Sequence, residues 1–146
     1  MKKAYKIIYW IATLWLSLGM FATGLGQILK GKTGPAGVDS LTHLGYPMYF
    51  LTLLGVAKIL GVVVVLSPKL PLLKEWAYAG FTFMMLGAIY SHIAVDYSFV
   101  AIIPALWLLI LALLSWWLRP ASRRISLLPA IAKASDTAQV SMTAHA

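Results

Sequence analysis

The chain has no cysteine, and its 146 residues include only four carboxylates: Asp39, Glu75, Asp96 and Asp136. Without cysteine there is no disulfide framework, no thiolate metal site and no thiol redox chemistry carried by this chain alone. Charge of both signs is scarce. Charged residues make up 11% of the chain, against about 25% in a soluble domain, so water could not solvate the surface it would present. There is no Gly-rich phosphate loop after a strand, no Ser-His-Asp pattern and no HExxH, and the chain is not expected to be a self-sufficient enzyme. The shortage of acids leaves a formal net charge of +8. That value suggests nucleic acid at first. The basic residues lie beside long apolar runs, however, where they act as topology signals and contacts for anionic headgroups, and no soluble basic face is available to bind nucleic acid.

Long apolar runs dominate what is present. A helix that spans a bilayer needs about 20 predominantly apolar residues. Four runs meet this length, at about 7–29, 46–66, 76–95 and 100–118. The first follows Lys2, Lys3 and Lys6, as a signal peptide would. It is longer than a usual signal core, and Ala22-Thr23-Gly24 is a poor cleavage site, so it reads as an uncleaved membrane helix. Ser67-Pro68 closes the second run and Pro71 is expected to prevent a restart. Arg119-Pro120 stops the fourth, and Pro104 falls in its first turn or so, where a missing N–H costs little. Short connections make neighbouring helices antiparallel. The expected fold is therefore all-α, an integral membrane four-helix up-down bundle over residues 1–120. The tail, 121–146, is rich in Ala, Ser and Thr with little patterning and is expected to be disordered.

The connections set the orientation. Nine basic residues fall on one side (Lys2, Lys3, Lys6, Lys69, Lys74, Arg119, Arg123, Arg124 and Lys133), against Lys30 and Lys32 on the other. The positive-inside rule then places both termini in the cytoplasm. Tyr and Trp mark the boundaries, with Tyr5, Tyr9, Trp10, Trp76, Tyr78, Trp116 and Trp117 on the inner side and Tyr46, Tyr49 and Tyr97 on the outer side. Small residues mark candidate seams: Gly55 and Gly61 on the second helix, and Gly80, Gly87 and Ser91 on the third. No internal repeat stands out, so an inverted-repeat transporter gets no support.

Lys58 departs from this plain pattern. It sits inside LTLLGVAKILGVVVVL, and an ammonium at the centre of a spanning helix costs about 3 kcal/mol or more, which makes it a functional candidate by default. All four carboxylates lie at membrane edges or beyond, so no acid of the same chain is expected beside it. Three outcomes are open: a neutral amine, an ammonium that snorkels or bonds carbonyls and hydroxyls, or an ammonium that meets an anion from a ligand, a lipid or a partner subunit. Nearer the outer side, His92, Tyr90, Ser91, His43, Tyr46, Tyr49 and Gln27 fall at one depth and form a candidate polar vestibule above Lys58. Each alone is ordinary interfacial anchoring; together with Lys58 they offer hydrogen bonds to a quinone headgroup. Haem ligation by His43 and His92 is disfavoured because His43 lies in a loop or at a helix start. Glu75, at the start of the third helix, reads simply as a carboxylate favoured by a helix N-terminus.

The segments His43-Leu44-Gly45-Tyr46-Pro47, Tyr49-Phe50, Leu54 to Gly61, Lys74 to Phe81 and Ser91-His92 resemble the DoxX-like family of small bacterial four-helix membrane proteins. The resemblance covers about residues 5–118, and the fourth helix matches only in character. It implies a four-helix integral membrane protein, here expected in the bacterial inner membrane, and places Lys58, Glu75, His92 and His43 in the family's recurring motifs; these four and Tyr49 are the candidate ligand-binding residues. Its name-giving members are membrane subunits associated with sulfur-compound oxidation and quinone reduction. The resulting expectation is a redox-associated membrane subunit that binds a quinone-like lipid. The alternative is a non-enzymatic scaffold or assembly partner that pairs through Lys58 with another subunit or a second copy, and a small transporter ranks below both.

Overall fold

The computed structural model describes residues 2–31, 37–95, 98–125 and 128–144. Lys32, Asp96 and Tyr97, which entered the charge and aromatic patterns above, lie outside the described residues, as does the side chain of Lys133. Four long helices carry the fold: α1 (Lys2–Ile28), α3 (Met48–Leu66), α4 (Pro71–Val95) and α5 (Phe99–Trp117), with a short α2 (Val38–His43) between the first two. Among the described residues there is no strand. All four long helices are long and apolar enough to cross a membrane. The protein is a multi-pass membrane bundle.

The helices form a ring in which α1 packs on α3 and α5, and α4 packs on the same two. Leu16, Met20, Val62, Val65, Phe81, Met85, Leu109 and Ala112 fill its axis. Exposed Leu, Ile, Phe and Trp cover the outside, as on a bundle whose solvent is lipid. The glycines divide according to their surroundings. A Cβ on Gly55 would stand 2.6 Å from the Gly24 carbonyl oxygen, and one on Gly61 would stand 2.6 Å from the Phe81 ring. Those two positions are seams, as expected. Gly80 and Gly87 are not, because a Cβ on either would meet nothing within 4 Å.

Two ends differ from expectation. Pro71 does not block a restart; it is the first residue of α4, where its missing N–H needs no partner and its fixed φ suits a helix. The helix therefore starts five residues earlier than expected, and Lys74 and Glu75 sit on helical turns. The tail, expected to be without structure, contains a 3-10 turn, η1 (Ala121–Arg123), and a helix, α6 (Leu128–Ala144). Alanine is the strongest helix former, which accounts for local helix there. The side chains of residues 134–144 are exposed throughout.

Two helix ends close through left-handed residues. At the end of α2, Gly45 takes φ +86°, Gly45 N–H donates to Thr42 and Tyr46 N–H donates to Leu41. That paired closure is the glycine helix stop, and it turns the chain so that Tyr46 enters α3 facing the bundle. At the end of α1 the same closure is made by Lys30 at φ 53°, with Gly31 N–H donating to the Gly26 carbonyl.

Candidate functional site

Lys58 is 4% exposed and points into the bundle. A helical side chain leans toward its helix N-terminus, which for α3 is the end away from the basic residues. Its Nζ donates to Thr23 Oγ1 at 3.3 Å. Room for its stem comes from Gly24, where a Cβ would lie 3.1 Å from the Lys58 Cβ. Thr23 Oγ1 also donates to the Gly19 carbonyl at 2.8 Å, so its lone pairs face the ammonium. A hydroxyl thus takes the place of the counter-ion.

Above Lys58 the helices form a partly open cavity of about 260 Å³. Thr23, Gln27, Tyr46, Lys58 and His92 provide its polar wall, and Phe50, Leu54, Phe83, Met84, Met85 and Leu108 much of its apolar wall. Pro104 opens space on the α5 side. It is the sixth residue of that helix, so it removes a donor inside the helix rather than at its first turn, and with Ala101 and Ala105 it leaves a shallow notch. Gln27 is 2% exposed and His92 is 6% exposed, yet Gln27 Oε1 and His92 Nδ1 have no hydrogen-bond partner among the described residues. Tyr46 OH is paired with Ser91 Oγ at 2.6 Å, and Ser91 donates to the Gly87 carbonyl.

The structure therefore brings together Lys58 and His92 and separates the other three expected residues from them. Tyr49 is 77% exposed on the outer surface, and it is Tyr46, three residues earlier, that lines the cavity. His43 ends α2 with an exposed side chain and is not part of the cavity wall. Glu75 lies at the opposite end of α4, 17 residues and about 25 Å from His92 along the helix. Of the residues expected at one depth above Lys58, Gln27, Tyr46 and His92 line one cavity with it, and His43, Tyr49, Tyr90 and Ser91 do not. The helical period of α3 decides between the tyrosines. Tyr46 precedes the helix and turns inward, whereas Tyr49 starts the lipid-facing stripe that continues through Leu53, Val56 and Leu60.

The basic end is closed by polar contacts that sequence reasoning had treated as topology signals. Lys74 is fully buried and caps the C-terminus of α3, its Nζ donating to the carbonyls of Val64 at 3.0 Å, Val65 at 2.9 Å and Ser67. Arg119, 3% exposed, pairs with Glu75, whose other oxygen accepts from Trp116 Nε1 at 2.7 Å. Arg123 stacks 4.7 Å over the Trp10 ring and donates to Tyr9 OH and the Val65 carbonyl, both at 3.4 Å. Deeper in, Tyr78 OH, Ser115 Oγ and Thr13 Oγ1 are joined at 2.7 and 2.6 Å, and Thr13 donates on to the Tyr9 carbonyl. That chain ends on a backbone acceptor, so it ties α4, α5 and α1 together and does not run on toward the cavity. The apolar plug of Leu16, Met20, Val62, Phe81 and Met85 lies in the same core.

Comparison with known proteins bears on residues within this bundle. The model of the DoxX-like family matches residues 11–115, which takes in Lys58, Gln27, Tyr46 and His92. No curated protein and no solved structure matches the chain.

Proposed function

The chain belongs to the DoxX-like family, and from that premise we propose that it is a redox-associated membrane subunit whose cavity holds the headgroup of a quinone-like lipid. One observation carries the reading: a lysine with no carboxylate partner among the described residues lines a mostly apolar, partly open chamber with two buried polar side chains, Gln27 and His92, whose Oε1 and Nδ1 have no partner among those residues. A buried polar atom left without a bond costs about 1–3 kcal/mol, so such a set is expected where a ligand completes it. A cavity of about 260 Å³ lies just below the range typical of ligand pockets, which suits one ring and not its tail. The tail has an exit. Gly87 and Phe83 line the cavity and are also exposed on the outer face of α4. Lys58 and His92 would contact the ring oxygens; Tyr46 and Gln27 would complete the polar wall. The bound group would supply the electron chemistry, and this chain's residues bind and orient it and exclude water.

The same proposal places the protein in a bacterial cytoplasmic membrane, with the end bearing Lys74, Arg119 and Arg123 and both termini on the cytoplasmic side, as the positive-inside rule implies. It divides the chain into a four-helix domain over residues 1–120 and a cytoplasmic tail. Electron exchange would require a partner subunit, since this chain has no thiol. Pairing of Lys58 with an acid on a neighbouring helix has less support. Its side chain is walled inside the ring, and a helix packed on the outside would not reach it.

The test is purification from native membranes followed by mass spectrometry of the extracted lipids. The expected result is a stoichiometric quinone-class lipid that Lys58→Met fails to retain. Stable wild-type protein that yields phospholipid alone would overturn the reading.

A further inference from the structure

The cations of the basic end divide by what they already hold. Lys74 is committed to three carbonyls at the end of α3, and Arg124 donates to the carbonyls of Arg119 at 2.7 Å and Trp117 at 2.6 Å. Arg119 pairs with Glu75, and its Nε and NH1 atoms are buried below solvent contact, out of reach of any visiting group. Three other cations gather around one indole. Lys3 and Lys6 are exposed on α1, and neither has an ion-pair partner among the described residues. Both line a shallow groove along α1 with Ile7, Trp10, Ile11 and Leu14, positions that recur every three or four residues and so form a single helix face. Arg123 reaches the same Trp10 from the segment after α5. Its guanidinium lies 4.7 Å over the ring, and NH1 donates to Tyr9 OH and the Val65 carbonyl. Those contacts hold the guanidinium in place. Its Nε and NH2 edge has no hydrogen-bond partner among the described residues, and the residue is half-exposed. An edge of that kind matches two oxygens of a phosphate.

We propose that this groove is a binding site for one acidic glycerophospholipid, its phosphate held by Lys3, Lys6 and the Nε and NH2 edge of Arg123, and an acyl chain laid along Ile7, Ile11 and Leu14. Those three side chains are exposed and run about 10 Å along α1 into its apolar span. Apolar stripes on the other helices, such as Leu53, Val56 and Leu60 on α3, carry no such charge, and bulk lipid covers them. The α1 stripe differs in having three cations at its polar end, none paired with a carboxylate among the described residues. Charge of that sign and place complements an acidic headgroup. Trp10 stands at the join between the two parts, where an indole is at home in a membrane interface. The groove lies at the opposite end of the bundle from the chamber and does not depend on what the chamber holds. A lipid seated there bridges α1 and the segment after α5, and so braces the basic end.

The experiment is native mass spectrometry of the full chain released from nanodiscs made of equal parts of phosphatidylcholine and phosphatidylglycerol. Wild type is expected to retain one phosphatidylglycerol per chain, enriched over phosphatidylcholine. A basic residue beside an acidic lipid is worth about fivefold, so replacing both Lys3 and Lys6 with Gln is expected to lower the enrichment by about tenfold or more. Arg123→Lys keeps the charge but loses the fork and the flat stack, and is expected to lower it about fivefold. Lys69→Gln removes an exposed charge of the same end that does not line the groove, and should leave the enrichment nearly unchanged. Wild type without enrichment overturns the proposal. An equal drop for Lys69→Gln and for the double variant also overturns it, because the attraction is then that of a diffuse basic surface. Displacement of the retained lipid by inorganic phosphate would mean a phosphate site without an acyl groove, and overturns it as well. The wild-type result requires no variant to fold, and the two lysines are exposed, so their replacement tests the groove in an intact bundle.

Discussion

Gly24 and Gly55 meet where α1 comes close to α3, and the side chains they lack make the room Lys58 occupies. A methyl on Gly55 would press on the Gly24 carbonyl oxygen at 2.6 Å and on Ile28 Cγ1 at 2.8 Å. The first is backbone and cannot move aside without parting the helices. Gly55→Ala is expected to destabilise the protein by about 1–3 kcal/mol, the usual cost of overpacking, and a melt in detergent would show it as a lower midpoint. Gly80→Ala is the control, since its Cβ would meet nothing within 4 Å; it should be neutral or slightly stabilising. Lys30 presents the reverse case. It holds φ 53° at the end of α1, a conformation that costs a residue with a Cβ roughly 1–2 kcal/mol, so Lys30→Gly should stabilise. At this scale the sequence was partly legible. Lys58 stood out because an ammonium in an apolar run conflicts with its surroundings. Gly55 looked no different from Gly80 and Gly87, and Gly24 was not marked as a seam, because whether a glycine marks a seam depends on what faces it across the gap, and composition along one helix does not contain that.

Helix α4 carries most of what distinguishes the two ends of the bundle. Its first turns provide Lys74 and Glu75, which lock the ends of α3 and α5, and its last turns provide His92 to the cavity and Ser91 to the hydroxyl of Tyr46. The two jobs are about 25 Å apart and should separate on mutation. Glu75→Gln leaves Arg119 buried with its charge uncompensated. The fully buried case costs about 3–5 kcal/mol, and because the Glu75 side chain is 30% exposed the expected loss is nearer 2 kcal/mol. Glu75→Gln combined with Arg119→Met should recover much of that loss, and a double-mutant cycle on unfolding free energies would measure the coupling. Neither variant should change affinity for a ligand in the cavity while the bundle stays folded. The long apolar runs made the four long helices visible in the sequence to within a few residues, except at the starts of α1 and α4, which each begin five residues earlier than expected. Reading Pro71 as a stop hid the helical turns that put Lys74 and Glu75 on one packed element. The basic residues of this end read as topology signals because charge counts carry no geometry. Their carbonyl and aromatic partners come from three other helices.

The whole molecule is a ring of four helices with a polar chamber at one end, a dry core next to it and a basic lock at the other end. Nothing in the hydroxyl chain of Tyr78, Ser115 and Thr13 bypasses the core, since its last proton is committed to the Tyr9 carbonyl. A ligand of the chamber, as proposed, would therefore exchange from the chamber's own end or through its side wall. On the α4 side the wall offers a candidate place for that. Gly87 lines the cavity, lies on the exposed face of α4 and has no neighbour for a Cβ within 4 Å, and the flanking Phe83 is 74% exposed. A long apolar tail could leave the chamber there and continue into lipid without parting any pair of helices. Gly87→Leu tests this. The new side chain meets no obstacle, and replacing glycine in a helix gains about 0.5–1 kcal/mol of intrinsic propensity, so the variant should melt at or above the wild-type temperature. It would also fill the gap at the wall. A ligand with a long tail should then bind more weakly or exchange more slowly, while a tailless ring that enters from the end of the bundle should bind as before. Binding rates measured in nanodiscs with tailed and tailless analogues of the same ring would separate the two routes. Equal slowing of both analogues would mean that the chamber itself had been disturbed, and no slowing of either would place the route between helices at another face of the ring.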